Sequence, residues 1–300
     1  QQWTWRAGVR KVDTDHDGDF DYTARMRGWH QHWDWGIVEY HIHRFALTRM
    51  VDDDADGNLE WKHRTIHMSN STDWDFDQHL EQRESFTATL IWWDANEDGY
   101  EEHIFRRVRE TYYLDQHANG WTEQNEDTRS VEVWRNSVNQ PQLRRIRVAE
   151  LTSWDNNSDG SPDTYSHLAR TWQARDTDND GFLDRRVFHR HYMTARDDNA
   201  DGNVSFSLNS NIWHARNLSL SSSGTIETLQ EAFLSHRVFE WNVNWQGHAH
   251  HTNSTWVGFQ VDYVAGTSQG ITVTVITIDS NQDGTPESQT ITTAGSGNPP

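Results

Sequence analysis

Two kinds of segment alternate along this chain. One kind runs for about twelve residues, lacks glycine and proline, and mixes β-branched and aromatic residues with charged ones, as in "TYSHLARTWQAR" (164–175) and "RRVFHRHYMTAR" (185–196). The other is a nine-residue block rich in Asp, Asn and Gly. The long segments do not sustain the i, i+3, i+4 apolar spacing of an amphipathic helix, and their composition is that of strands. They do not divide sharply into two faces. In 185–196 one parity carries Arg185, Val187, His189, His191, Met193 and Ala195, and the other Arg186, Phe188, Arg190, Tyr192, Thr194 and Arg196. A half-buried sheet alternates more cleanly. Two resolutions stay open: cross-strand stacking of Trp, Tyr, His and Arg on both faces, or burial of both faces against other subunits.

The nine-residue block is a repeat. The pattern D-x-[DN]-x-D-G-x-x-[DE] occurs at 13–21 ("DTDHDGDFD"), 52–60 ("DDDADGNLE"), 94–102 ("DANEDGYEE"), 155–163 ("DNNSDGSPD"), 176–184 ("DTDNDGFLD") and 279–287 ("DSNQDGTPE"). A near match at 197–205 ("DDNADGNVS") ends in Ser205, and 73–81 ("DWDFDQHLE") has Gln78 in place of the glycine. The blocks at 115–123, 219–227 and 242–250 keep only the outline and read as turns. Most starts advance by 21 residues. The two longer gaps are interrupted by short turns, "WDWG" at 33–36 and "NSVNQP" at 136–141.

A unit of one loop and one uninterrupted strand has too few corners for a rung of a parallel β-helix. It predicts an all-β antiparallel meander with loops alternating between its two ends, arranged as a large sheet, a barrel or a propeller-like body. The Ser-rich stretch 218–224 is the expected boundary between a repeat domain, 1–217, and a smaller C-terminal β domain, 225–300. Beyond it, "STWVGFQVDYVAG" (254–266) and "ITVTVITI" (271–278) are more apolar, and "ETLQEAFLSH" (227–236) reads as a short helix.

The loops carry the candidate chemistry. Calcium takes six to eight oxygens in a flexible geometry. Alternate side chains at positions 1, 3 and 5 converge on one point, glycine at 6 permits the sharp turn, and a carboxylate at 9 closes the shell. The loops resemble the calcium loops of thrombospondin type 3 repeats and of FG-GAP/VCBS repeats in integrin-like propellers. The resemblance stops at the loop, because those blades are longer than 21 residues and thrombospondin repeats carry cysteines that are absent here. It implies ligation by Asp13, Asp15, Asp17 and Asp21; Asp52, Asp54, Asp56 and Glu60; Asp73, Asp75, Asp77 and Glu81; and Asp94, Asn96, Asp98 and Glu102. In the later loops it implies Asp155, Asn157, Asp159 and Asp163; Asp176, Asp178, Asp180 and Asp184; Asp197, Asn199 and Asp201; and Asp279, Asn281, Asp283 and Glu287. About seven Ca²⁺ are expected.

Composition sharpens this picture. The formal net charge is −20, which argues against nucleic-acid or anionic-membrane partners and suits a binder of cations. About seven divalent ions would bring −20 to about −6. The apolar fraction is 34%, so a thin core is expected, and with no cysteine the ions would stand in for disulfides. Apolar runs such as "LIWW" (90–93) are too short to span a bilayer. The opening Gln1 and sequons at Asn70, Asn156, Asn203, Asn217 and Asn253 fit a mature secreted or cell-surface chain.

Two other features invite a function. His30 and His32 precede the "WDWG" turn, and Glu39, His41 and His43 follow it. A tight hairpin over 33–36 would set His30 opposite Glu39 and diagonal to His41, a donor set for zinc, copper or iron. The 17 Trp are either sugar-stacking platforms or the apolar area of a thin core. No nucleophile elbow, P-loop, H-E-x-x-H or dinucleotide fingerprint occurs, so the chain is not expected to be an enzyme. The leading expectation is a calcium-stabilised extracellular structural protein, a filament, surface-layer or matrix subunit that forms homo-oligomers or polymers. The alternative is a glycan-binding or adhesion module using Trp-rich faces.

Overall fold

The computed structural model describes the whole chain except residues 1, 14–19, 35–38, 53, 55, 57, 75–79, 116–122, 137, 156, 158–161, 199–204, 221–224, 243–247, 263, 280–286 and 297–300. Fifteen strands follow one another: β1 (Gln2–Val12), β2 (Tyr22–Asp34), β3 (Glu39–Val51), β4 (Trp61–Asp73), β5 (Gln82–Trp93), β6 (His103–Leu114), β7 (Glu123–Arg135), β8 (Pro141–Trp154), β9 (Thr164–Arg175), β10 (Arg185–Arg196), β11 (Phe206–Leu220), β12 (Ile226–Asn242), β13 (His248–Asp262), β14 (Thr267–Asp279) and β15 (Ser288–Ser296). The order in the sheet is the order in the sequence. The fold is therefore an antiparallel meander that begins at β1 and ends at β15, neither closed into a barrel nor divided into propeller blades. No helix occurs among the described residues.

The chain forms two compact units, one built on Gln1–Ile146 and the other on Arg147–Asn157 and Ser161–Pro300. The Ser-rich stretch 218–224 runs from the last three residues of β11 into the β11–β12 connection. The expected helix at 227–236 is strand. Its Glu, Leu, Gln and Ala favour a helix in isolation, but β12 pairs residue by residue with β11 on one side and β13 on the other, including Ala232 with Ala215 and Gly258. Ladder bonds on both sides override the local preference.

Among the described residues of each unit, strands contact only their sheet neighbours. This explains the mixed faces. A single layer has no second layer to cover an apolar face, so neither face needs to be uniformly apolar. Side chains instead cover one another along the sheet. The rings of His103 and Trp134 stack at 3.9 Å and those of Trp33 and Tyr40 at 5.4 Å, while the Arg44 guanidinium lies 4.9 Å from the Trp29 ring. Cross-strand stacking, the first of the two resolutions, is what these contacts show.

Burial is inverted relative to an ordinary domain. Among the described residues the buried apolar side chains are Leu168, Ala195, Ala215, Leu229 and Ile271, all in the second unit. In the first unit the buried described residues are Asp21, Gln31, Asp73, Glu81 and Asp94, every one polar and four of them loop carboxylates.

Candidate metal centres

The loops 94–102 and 176–184 are described in full and share one backbone path. Positions 4 and 6 both take left-handed φ, +58° at Glu97 and +83° at Gly99 in the first, +62° at Asn179 and +92° at Gly181 in the second. The position-1 carboxylate reaches across the loop to the glycine amide: Gly99 N–H donates to Asp94 Oδ2 (3.1 Å) and Gly181 N–H to Asp176 Oδ2 (2.9 Å). The position-5 carboxylate accepts from the amide two residues on, Tyr100 to Asp98 (2.9 Å) and Phe182 to Asp180 (2.8 Å). Position 9 does a different job. It accepts from the position-2 amide and so closes the loop's mouth: Trp74 to Glu81 (2.5 Å), Ala95 to Glu102 (2.8 Å), Thr177 to Asp184 (3.0 Å) and Asp198 to the Ser205 hydroxyl (3.0 Å). Ser205, which breaks the sequence pattern, keeps this closure.

The carboxylates converge. One oxygen from each of Asp52, Asp54, Asp56 and Glu60 lies within 4.8 Å of the others, and so do those of Asp94, Asp98 and Glu102 and those of Asp176, Asp178 and Asp180. Without a cation this convergence would be costly. Burial, then the charge of Glu102, pushes the Asp94 carboxyl above its usual range against the lowering effect of the Gly99 amide. Asp178 is raised by loss of water around it and by the neighbouring Asp180 and Asp184 charges. Asp52 Oδ1 and Asp94 Oδ1 are closed off from solvent with no hydrogen-bond partner. Oxygen-only donor sets with buried, unpartnered carboxylate oxygens fit a hard divalent cation. These residues could hold metal ions.

The loops form rows. Because the strands are antiparallel, 13–21, 52–60 and 94–102 share one end of the first unit, and 73–81 and 115–123 share the other with the β2–β3 connection. Neighbours in a row are joined through the backbone, the position-1 amide of one donating to the position-9 carbonyl of the one before. Asp52 donates to Asp21 (3.0 Å), Asp94 to Glu60 (2.9 Å), Asp115 to Glu81 (2.6 Å) and Asp197 to Asp163 (2.7 Å). Crowding extends along a row as well. Loss of surrounding water, then the charges of Asp54, Asp56 and Glu60 from the adjacent loop, push Glu97 above the usual carboxylate range.

The remaining sequence-derived candidates are placed as follows. Asp73, Glu81, Asp155, Asp163, Asp184 and Asp279 are buried at loop mouths. Asp13, Asn157, Asp197 and Glu287 stand at or within the described parts of their loops, and Asn96 accepts from the Asp98 amide (3.2 Å). Asp15, Asp17, Asp75, Asp77, Asp159, Asn199, Asp201, Asn281 and Asp283 lie outside the described residues. Sequence reading missed position 4. Glu97 and Asn179 share no side-chain property that announces a left-handed residue, although Asn tolerates that conformation better than most.

The histidine hairpin has a different register from the one expected. Strands β2 and β3 extend to Asp34 and Glu39, which pair directly, so His30 faces His43 and His32 faces His41. The connection is longer than the tight turn read at 33–36, which moves the pairing by four residues and leaves the sheet face unchanged. Pairing along the strands places His30, His32, His41, His43, His63, His67 and His103, every described histidine of the first unit, on one face. His32 and His41 stack in parallel at 4.5 Å, and their Nε2 atoms stand 2.6 Å and 3.2 Å from Glu39 Oε1. Burial, then the adjoining His41, His43 and His32, holds the His30 imidazole below its usual range.

A scan against protein-family models and a search of curated proteins each found no match to this chain.

Proposed function

We propose that this chain is a calcium-stabilised extracellular structural protein, a subunit of a filament, surface layer or matrix, whose loops resemble those of thrombospondin type 3 and FG-GAP/VCBS repeats. The observation that carries this reading is the inverted burial: among the described residues, carboxylates that bracket the loops outnumber the apolar side chains withdrawn from water. An apolar core supplies most of the folding free energy of an ordinary domain. Here ion binding would supply it, which suits a compartment where calcium is abundant. The strand order supports assembly. β1 and β15 are its two ends, and each presents an edge. Trp5 and Val9 on β1 and Ile291 on β15 are exposed, at 63%, 64% and 62%. Pairing the β15 edge of one copy with the β1 edge of the next is a head-to-tail contact, which propagates.

Negative-stain microscopy of the purified chain tests this. Millimolar calcium should give polymers, chelation should dissolve them, and deletion of 271–300 should leave a calcium-binding monomer. A full-length chain that stays monomeric in millimolar calcium would overturn the structural reading. Adhesion would then lead, since Trp74, Trp93 and Trp154 are also exposed and offer stacking platforms for sugars. Glycan-array binding would support it.

A further inference from the structure

The histidine hairpin carries a site of another kind. We propose that His32, Glu39 and His41 bind one divalent transition-metal ion of the zinc class, with His30 holding His41 in place through its second ring nitrogen.

The argument starts from three atoms. One ligand atom from each of His32, Glu39 and His41 lies within 4.8 Å of the others at the end of the β2–β3 hairpin, and both Nε2 atoms approach Glu39 Oε1. Ligands bound tetrahedrally at about 2.1 Å stand roughly 3.4 Å apart, so the 2.6 Å and 3.2 Å separations to Glu39 open by a small side-chain adjustment to admit an ion. A hydrogen-bonded trio is the competing explanation, and one detail speaks against it. His32 Nε2 is closed off from solvent and, although only 2.6 Å from the carboxylate oxygen, lacks the alignment of a hydrogen bond. A buried polar atom left in that position marks a missing partner.

The surroundings are those of a metal ligand. His41 Nδ1 lies 3.4 Å from His30 Nε2. With His41 Nε2 on the metal, Nδ1 carries the proton and donates it to the His30 lone pair. This fixes the ring orientation as outer partners of metal-bound histidines commonly do. The His32 and His41 rings stack in parallel, and the Nε2 of each approaches the same oxygen, Glu39 Oε1. Two imidazoles and one carboxylate are borderline donors that suit zinc or copper better than calcium. The site is therefore chemically separate from the oxygen-only loops, and its test is independent of them.

The experiment titrates zinc chloride into the full chain held in excess calcium, with calorimetry for stoichiometry and cobalt(II) absorption for coordination. One zinc per chain should bind beyond any binding retained by the His41→Ala variant. His32→Ala and His41→Ala should each weaken it about 100-fold or more, and Glu39→Gln and His30→Gln about 10–100-fold. His189→Gln, in the second unit, should leave it unchanged. Thermal melting of each variant reports folding, and His30→Gln keeps the test open should an alanine variant fail to fold. His30→Gln should retain the one-to-one stoichiometry with shifted cobalt bands, as expected of a positioning residue. No stoichiometric zinc, or equal zinc affinity in His32→Ala and His189→Gln, would overturn the proposal and leave a hydrogen-bonded trio.

Discussion

Asp94 shows how one side chain holds opposing demands. It is 8% exposed, its Oδ2 accepts from the Gly99 amide, its Oδ1 has no hydrogen-bond partner, and Glu102 stands close by. An ion would satisfy both carboxylates at once, whereas without one they repel. The sign of a substitution should therefore depend on calcium. Asp94→Asn should stabilise the metal-stripped protein slightly and destabilise the calcium-loaded one by up to about 2–3 kcal/mol, the limit for a roughly hundredfold weaker site in saturating calcium. Thermal melts in both states check this, and a change of the same sign in both would refute it. Protons act in the same way. Asp94, Glu97 and Asp178 are all raised above the ordinary carboxylate range by lost water and neighbouring carboxylates. A group raised on folding contributes stability below its unfolded value and loses it as pH rises through its folded value. The metal-stripped chain should thus melt higher as pH falls from neutral toward the carboxylate range. The calcium-loaded chain should melt lower, because protons displace ions. Melting curves with parallel pH slopes would contradict the assignment. Asp94 and Asp178 were legible in the sequence because the repeat sets oxygen-bearing side chains at fixed positions. The left-handed Glu97 was not, because that demand falls on the backbone.

At the scale of elements, each loop has to reverse the chain within nine residues. Gly99 makes this possible at φ +83°, and a Cβ built there would meet nothing within 4 Å. Its cost as alanine is therefore backbone strain alone, about 1–2 kcal/mol. Gly8 lies in β1, also with open space around a built Cβ and no left-handed φ. Gly8→Ala should be neutral or stabilising by up to about 1 kcal/mol. Chemical denaturation of the two variants in calcium should separate them in that order, and equal effects would mean that the turn does not require glycine. The strand–loop alternation was readable because the turn chemistry recurs at a fixed interval. Register was not. "WDWG" contains no residue that fixes the length of the connection, so the expected partner of His30 was Glu39 and the observed one is His43. The helix expected at 227–236 failed for a related reason: local preference is visible in a single segment, whereas pairing with β11 and β13 depends on residues elsewhere.

For the whole molecule the balance of charge and core leads to one expectation. A chain of net charge −20, with so few apolar side chains buried among the described residues, should depend on its ions. About seven Ca²⁺ should bind, some as weakly as the roughly 0.1–1 mM of extracellular modules, and melting should fall steeply on chelation. Calorimetry finding fewer than three sites, or melting indifferent to EGTA, would remove the basis of the calcium reading. The rows of loops add a direction to this dependence. In the first unit the three full-pattern loops all lie at one end, while the other end carries the weaker blocks 73–81 and 115–123. The unit is thus asymmetric along its strands: calcium bound by the full-pattern loops would sew one hem and leave the opposite hem to the weaker blocks. Calcium withdrawal should unpick it from one side only. Amides beside Val12, Tyr22, Val51, Trp61, Trp93 and His103 should exchange first, while those beside Glu39, Asp73 and Gln82 keep their protons longer, so a falling calcium concentration would fray the fabric along a chosen border before it released the cloth.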